Sequence, residues 1–215
     1  MKTVYFISGL GADERVFKYL TLHDVAAKYI KWEEPIKKEN LHDYCKRLIE
    51  QIDVSTDVIL IGVSFGGIVA QEIAKIIPVK KLIILSSVKT VDEFNWKIKL
   101  VRYLKLNRIT PSRFLKWLNL ITGNYYFGIK TKTEAELLRM IIIDTDPQFM
   151  VWAIEAIMQW EKIDCDKNIV HIHGDKDRIF PICNIKNVIG IKDGGHFMIV
   201  NQAAEISALI QKELD

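Results

Sequence analysis

Residues 62–66 read Gly-Val-Ser-Phe-Gly, and the serine at their centre has a context that suits chemistry. An apolar run, Val58-Ile59-Leu60-Ile61, precedes it, and an amphipathic stretch over 68–77 follows. A strand that turns directly into a helix lifts the corner side chain off the sheet. Glycines at 62 and 66, extended by Gly67, leave room for the crowded backbone. The amides that open the helix point back toward the corner and suit a developing oxyanion. The N–H of Phe65, next after the serine, is the expected donor. The chemistry this predicts is nucleophilic attack by the Ser64 hydroxyl. A tight turn with an incidental serine spells the same five letters, but the strand before and the helix after favour the nucleophile.

A serine hydroxyl is a weak nucleophile at neutral pH. It needs a histidine to take its proton and an acid to orient that histidine. Five histidines are available. His23 and His42 lie in or near polar helical segments and are expected on the surface. His171 and His173 alternate with Ile172 in a strand pattern and are expected to line the sheet and its C-terminal edge. His196 follows Lys192-Asp193-Gly194-Gly195 and precedes the final helical pattern. That is a loop at the strand C-terminal edge, where sites of α/β proteins assemble. The acid should come from another such loop. His173-Gly174-Asp175-Lys176-Asp177-Arg178 supplies two candidates, and either aspartate also fits a plain turn former. The same stretch, HIHGDKD, approaches a zinc pattern. It has Lys176 where a further histidine is required and no evident ligands downstream, so no metal and no cofactor are expected.

These residues need a frame. Apolar runs at 3–7, 27–32, 57–62, 81–87, 168–173 and 187–192 alternate with helical patterns and turn residues. Asn40 is placed to cap a helix that carries Leu41, Tyr44, Cys45, Leu48, Ile49 and Ile52 at three- and four-residue spacing. Pro78 should stop the helix after Ser64, and a last helix is expected over 201–214. Strand, helix, strand repeated in this way predicts a mostly parallel sheet of about six strands with helices on both faces. The strand pattern breaks near Val91. The economical division is an α/β core of 1–91 and 162–215 with a helical insert over 92–161.

Four pieces together, SGLGAD after the first strand, GVSFG, HGDKD and GGHFM, resemble the α/β-hydrolase family in content and in chain order, Ser then Asp then His. The resemblance spans nearly the whole chain. It implies Ser64 as nucleophile, His196 as general base and Asp177 as the acid, the last residue of the HGxxD pattern, with Asp175 the runner-up. It implies a second oxyanion amide from Leu10, after Gly9, beside that of Phe65. Ser8 stands where the family usually has histidine. The insert resembles the family's helical cap. The family commonly opens with two antiparallel strands before this loop, whereas here the loop arrives at residue 9, so a shortened sheet without them is expected. The edge left open in such a sheet would favour pairing with a second copy, and a homodimer is an expectation.

The reaction implied is cleavage of a small or medium carboxylic ester or thioester through an acyl-enzyme. The same fold and residues also serve carbon–carbon hydrolases, lyases and cofactor-free peroxidases, and a non-catalytic binding relative is a further class. An Asp-nucleophile dehalogenase is disfavoured by serine at 64. Length and composition agree with one such domain: 215 residues, 49% hydrophobic, net charge +3. That balance does not call for nucleic acid. Cys45, Cys165 and Cys183 are sparse and odd in number, no leader-like run opens the chain, and no stretch is long enough for a membrane span. A cytoplasmic protein is expected. Residues 96–117 hold Lys97, Lys99, Arg102, Lys105, Arg108, Arg113 and Lys116 and no acid. The favoured reading is a solvated face whose basic stems cover apolar neighbours. The other is a surface for anionic lipid or an anionic substrate. The stretch 146–160 places Phe149, Trp152, Ala153, Ala156, Ile157 and Trp160 at helical spacing, mostly as core, with one or two aromatics expected to wall the pocket.

Overall fold

The apolar runs become strands of one sheet in the computed structural model, which describes residues 1–105, 111–161 and 169–215. The strands are β1 (Lys2–Ile7), β2 (Val25–Ile30), β3 (Ile59–Val63), β4 (Lys81–Leu85), β5 (Ile169–Gly174) and β6 (Ile189–Ile191). Their order is β2-β1-β3-β4-β5-β6, and every neighbouring pair is parallel. Both faces are covered, which is why the central strands read as unbroken apolar runs rather than alternations. Tyr5, Ile7, Leu60, Leu82 and Ile84 face α1 (Leu41–Leu48) and α2 (Phe65–Ala74). Val4, Phe6, Ile61, Ile83 and Leu85 face α7 (Met198–Asn201) and α8 (Ala203–Leu214).

Between β4 and β5 lies a helical insert: α3 (Trp96–Leu104), α4 (Ser112–Phe127), α5 (Lys132–Asp144) and α6 (Pro147–Gln159). Arg108, Cys165, the first residue of the 168–173 run and the expected core boundary at 162 lie outside the described residues.

Local signals explain most boundaries. The Asn40 side chain accepts from the Asp43 amide at 2.9 Å and caps α1 as expected. α2 ends at Ala74, short of the expected Ile77, and a turn carries the chain to Pro78. β2 runs two residues earlier than its apolar stretch. It is an edge strand, with Ala27, Lys28 and Tyr29 exposed, so one-sided burial weakens the apolar signal. The last helix is split at Gln202, whose φ of −133° is not helical, so α7 begins before the expected start. Among the described residues no helix is long and apolar enough to cross a membrane.

Candidate active site

Ser64 sits between the last residue of β3 and the first of α2 with φ 54° and ψ −118°, a conformation that L-residues seldom adopt. Its backbone is over-determined. The Ser64 amide donates to Leu85 O at 2.8 Å, and the Ser87 hydroxyl donates to Ser64 O at 2.7 Å. The elbow also needs bare backbone: a Cβ on Gly66 would lie 2.2 Å from Ile7 O, and one on Gly62 would lie 2.3 Å from Gly66 O. The glycines are therefore set by the close approach of β1, β3 and α2, and the strain at Ser64 raises its hydroxyl above the C-terminal edge of the sheet.

Two further loops on that edge bring their side chains to it. His196 Nε2 lies 2.9 Å from Ser64 Oγ, and His196 Nδ1 lies 2.7 Å from Asp177 Oδ2. A carboxylate accepts, so Nδ1 carries the proton and the Nε2 lone pair faces the serine hydroxyl. Asp177 Oδ1 accepts from the amides of Ile179 and Phe180 at 2.8 and 2.9 Å, which fixes the carboxylate plane. The imidazole packs edge-on between Phe127 of α4 and Phe180. The two loops are stitched together: Lys176 N donates to Gly194 O at 2.8 Å, and a Cβ on Gly174 would meet that same oxygen. Burial alone would raise the Asp177 pKa. The charge and hydrogen bond of His196, the charge of His173 and the Phe180 amide outweigh it and hold the carboxyl below its ordinary value.

Asp175 is exposed, and the structure brings Asp177 rather than Asp175 to His196. His23 and His42 are exposed. The loop after β1 reaches the serine, since a Cβ on Gly9 would lie 3.6 Å from Ser64 Cβ. Leu10 and Phe65 both line the cavity that contains Ser64. Ser8 is buried and donates to Ala12 O at 2.6 Å, so its hydroxyl closes the loop that carries Leu10. Thr145, between α5 and α6, donates to Ile141 O at 2.7 Å and lies 3.1 Å from Gly11 O, tying the insert to that loop. Nothing in the sequence marks Thr145, because its partner is 134 residues away.

The cavity has a volume of about 280 Å³. From α6 its wall is Met150, Ile154, Ile157 and Met158. The expectation that one or two aromatics of 146–160 would wall it is corrected. Trp152 donates its indole N–H to Glu39 O and Trp160 donates to Glu72 Oε1, both at 2.8 Å, so these rings fasten the insert to the core instead. Phe149 packs on Trp32 and Tyr44. A larger groove of about 1070 Å³ between α1, α2 and α6 is lined with charged groups such as Glu72 and Lys75 and contains none of Ser64, Asp177 or His196.

His173 is fully buried beside the acid. Its Nε2 lies 2.7 Å from Phe180 O, to which it donates, and 3.4 Å from Asp177 Oδ2. The sequence pattern placed it at the sheet edge but not against the acid. His171 packs edge-on to it at 5.2 Å. Burial first, then the charges of His173 and Lys89, push the His171 pKa down to about 2. In the unfolded chain it titrates near ~6.5. The unfolded state therefore takes up the proton first as pH falls. The stability of the neutral ring is complete above about pH 6.5 and is lost progressively below it. Between about pH 6.5 and 5 the loss is ~2 kcal/mol. Urea unfolding of the wild type should lose that much more than His171→Gln across the interval, and parallel pH dependence of the two would contradict it. Among the described residues no group of three His, Cys, Asp or Glu side chains could hold a metal.

A parallel sheet with a serine elbow after β3, an insert after β4, and acid and histidine loops after β5 and β6 defines a class. A sequence profile of the Alpha/beta hydrolase family matches residues 7–209, and the chain belongs to that family. No curated protein matches the chain by sequence. Solved structures resemble it at low identity. A thermophilic esterase from Thermogutta terrifontis is 16% identical with a TM-score of 0.69, over 100% of this chain and 89% of the other. An esterase from Exiguobacterium antarcticum is 17% identical with a TM-score of 0.70, over 99% and 91%. A bromoperoxidase from Bacillus anthracis is 19% identical with a TM-score of 0.71, over 100% and 92%.

Proposed function

We propose that the chain is a serine hydrolase of small or medium carboxylic esters or thioesters, with Ser64, His196 and Asp177 as its catalytic triad. The observation that carries this reading is the hydrogen-bonded line from Asp177 through His196 to Ser64, 2.7 and 2.9 Å, opening into an apolar cavity. Ser64 Oγ attacks the carbonyl carbon while His196 Nε2 takes its proton. The amides of Leu10 and Phe65 hold the oxyanion. Collapse expels the alcohol or thiol, protonated by His196, and leaves an acyl-Ser64. Water, deprotonated by His196, releases the acid and restores the serine. Asp177 keeps the imidazole in the tautomer this requires. The esterase names of two structural neighbours agree with it. In this reading residues 92–161 act as the cap over a core of 1–91 and 162–215.

Cavity size sets the acyl group. At roughly 30 Å³ per water-sized group, about nine heavy atoms fit. Across a series of p-nitrophenyl esters, kcat/KM should be highest from butanoyl to octanoyl and fall at least about tenfold at hexadecanoyl. A profile still rising at hexadecanoyl would contradict the volume argument. Turnover of a diketone with no turnover of any ester would assign the site to carbon–carbon cleavage instead.

A further inference from the structure

The insert carries two exposed apolar stripes that the proposed reaction does not use. In α3, Trp96, Leu100, Tyr103 and Leu104 recur at helical spacing and share one face, which is exposed, Trp96 by 70% and Tyr103 by 83%. In α4, Phe114, Trp117, Leu118, Ile121 and Tyr125 do the same, Ile121 by 60%. A surface helix ordinarily buries such a stripe. Both helices have inner contacts already, since Ile98 of α3 and Asn119 of α4 line the Ser64 cavity. Lysine and arginine stems, expected to cover these side chains, leave them exposed.

Along the chain, the charge carried by this part of the insert is one-sided. From 94 to 133 the sequence holds nine lysines and arginines and no aspartate or glutamate. Lys99, Arg102 and Lys116 donate to backbone carbonyls, of Asp92, of Trp160, and of Ile143 and Thr145 respectively. Lys97, Lys105 and Arg113 are exposed beside the apolar residues.

We propose that these exposed stripes of α3 and α4 dock the protein on an anionic phospholipid surface. Tryptophan and tyrosine side chains match the headgroup level of a bilayer, the aliphatic ones match the acyl boundary, and the basic ones match anionic headgroups. The charge selects this occupant over a second copy of the chain, because two such segments would set positive against positive. Docking is peripheral, and it lays the insert that roofs the Ser64 cavity against lipid.

The test is sedimentation of the full chain with vesicles of phosphatidylcholine alone or containing phosphatidylglycerol, with tryptophan emission as a second readout. Binding is expected to the anionic vesicles only, with a blue shift of emission and loss at high salt. Each basic residue near an anionic leaflet strengthens binding roughly fivefold. The double variant Lys97→Glu, Arg113→Glu should therefore bind at least about twentyfold more weakly. Tyr103→Ser with Ile121→Ser should also weaken binding, and every variant should keep its turnover of a soluble ester. Ser64→Ala should bind like wild type, so the readout survives a failure of the hydrolase reading. Absence of vesicle binding, equal binding to neutral vesicles, or indifference to charge reversal would overturn the proposal. So would a concentration-dependent dimer that Tyr103→Ser with Ile121→Ser dissolves, which would give the stripes to a second copy.

Discussion

Ser64→Ala is expected to lower kcat/KM toward a butanoyl ester by a factor on the order of 10⁴ to 10⁶. The substitution removes one oxygen and leaves the elbow as it is. The strained φ of 54° is borne equally by alanine, the Ser64 amide still donates to Leu85 O, and Ser64 O still accepts from Ser87. The cavity and the Leu10 and Phe65 amides stay in place, so substrate binding and oxyanion stabilisation persist. What disappears is the atom that forms the acyl-enzyme. Circular dichroism and thermal unfolding should match wild type, which separates lost chemistry from lost fold. A loss smaller than about tenfold would mean that the reaction does not pass through Ser64.

Asp177→Asn is expected to cost about 10⁴ in kcat, with Asp175→Asn within severalfold of wild type. Asp177 uses both oxygens as acceptors, Oδ2 for His196 Nδ1 and Oδ1 for the amides of Ile179 and Phe180. Asparagine can supply only one acceptor side. If its NH₂ faces His196, Nδ1 must accept and the ring proton moves to Nε2, so an N–H rather than a lone pair meets the serine. If its NH₂ faces the two amides, three donors converge with no acceptor between them. Either arrangement disables the base or the loop. Asp175 is exposed, and its backbone N–H donates to Ile191 O at 3.0 Å. Parallel kcat measurements on the two variants check this, and a larger loss at Asp175 would reverse the assignment.

How much of this could be read from the chain depends on how local the cause was. Strands buried on both faces announce themselves as apolar runs, so β1, β3 and β4 were legible, and the GVSFG elbow was legible because strand, turn and helix are consecutive. β2 was displaced because an edge strand is apolar on one side only. The split at Gln202 has no local breaker such as proline or glycine. Long-range causes left no trace. Helical spacing over 146–160 put Trp152 and Trp160 on a buried side but could not say that Glu39 O and Glu72 Oε1 would claim their N–H groups and turn them from the cavity. His173 alternated with His171 on a strand, and its approach to Asp177 depends on the turn after β5. The residues alone left two aspartates open and the family resemblance named Asp177; that Asp177 reaches His196 follows from the loop's path, which Gly174 and Gly194 set by backbone contact.

The central claim is that Ser64 is a nucleophile activated by His196 and Asp177. Intact mass after treatment with a fluorophosphonate tests it most directly. A single adduct on wild type, none on Ser64→Ala and a much slower adduct on Asp177→Asn is the result expected from a hydroxyl held 2.9 Å from an oriented imidazole. An unmodified wild type, or an adduct that persists in Ser64→Ala, would contradict it.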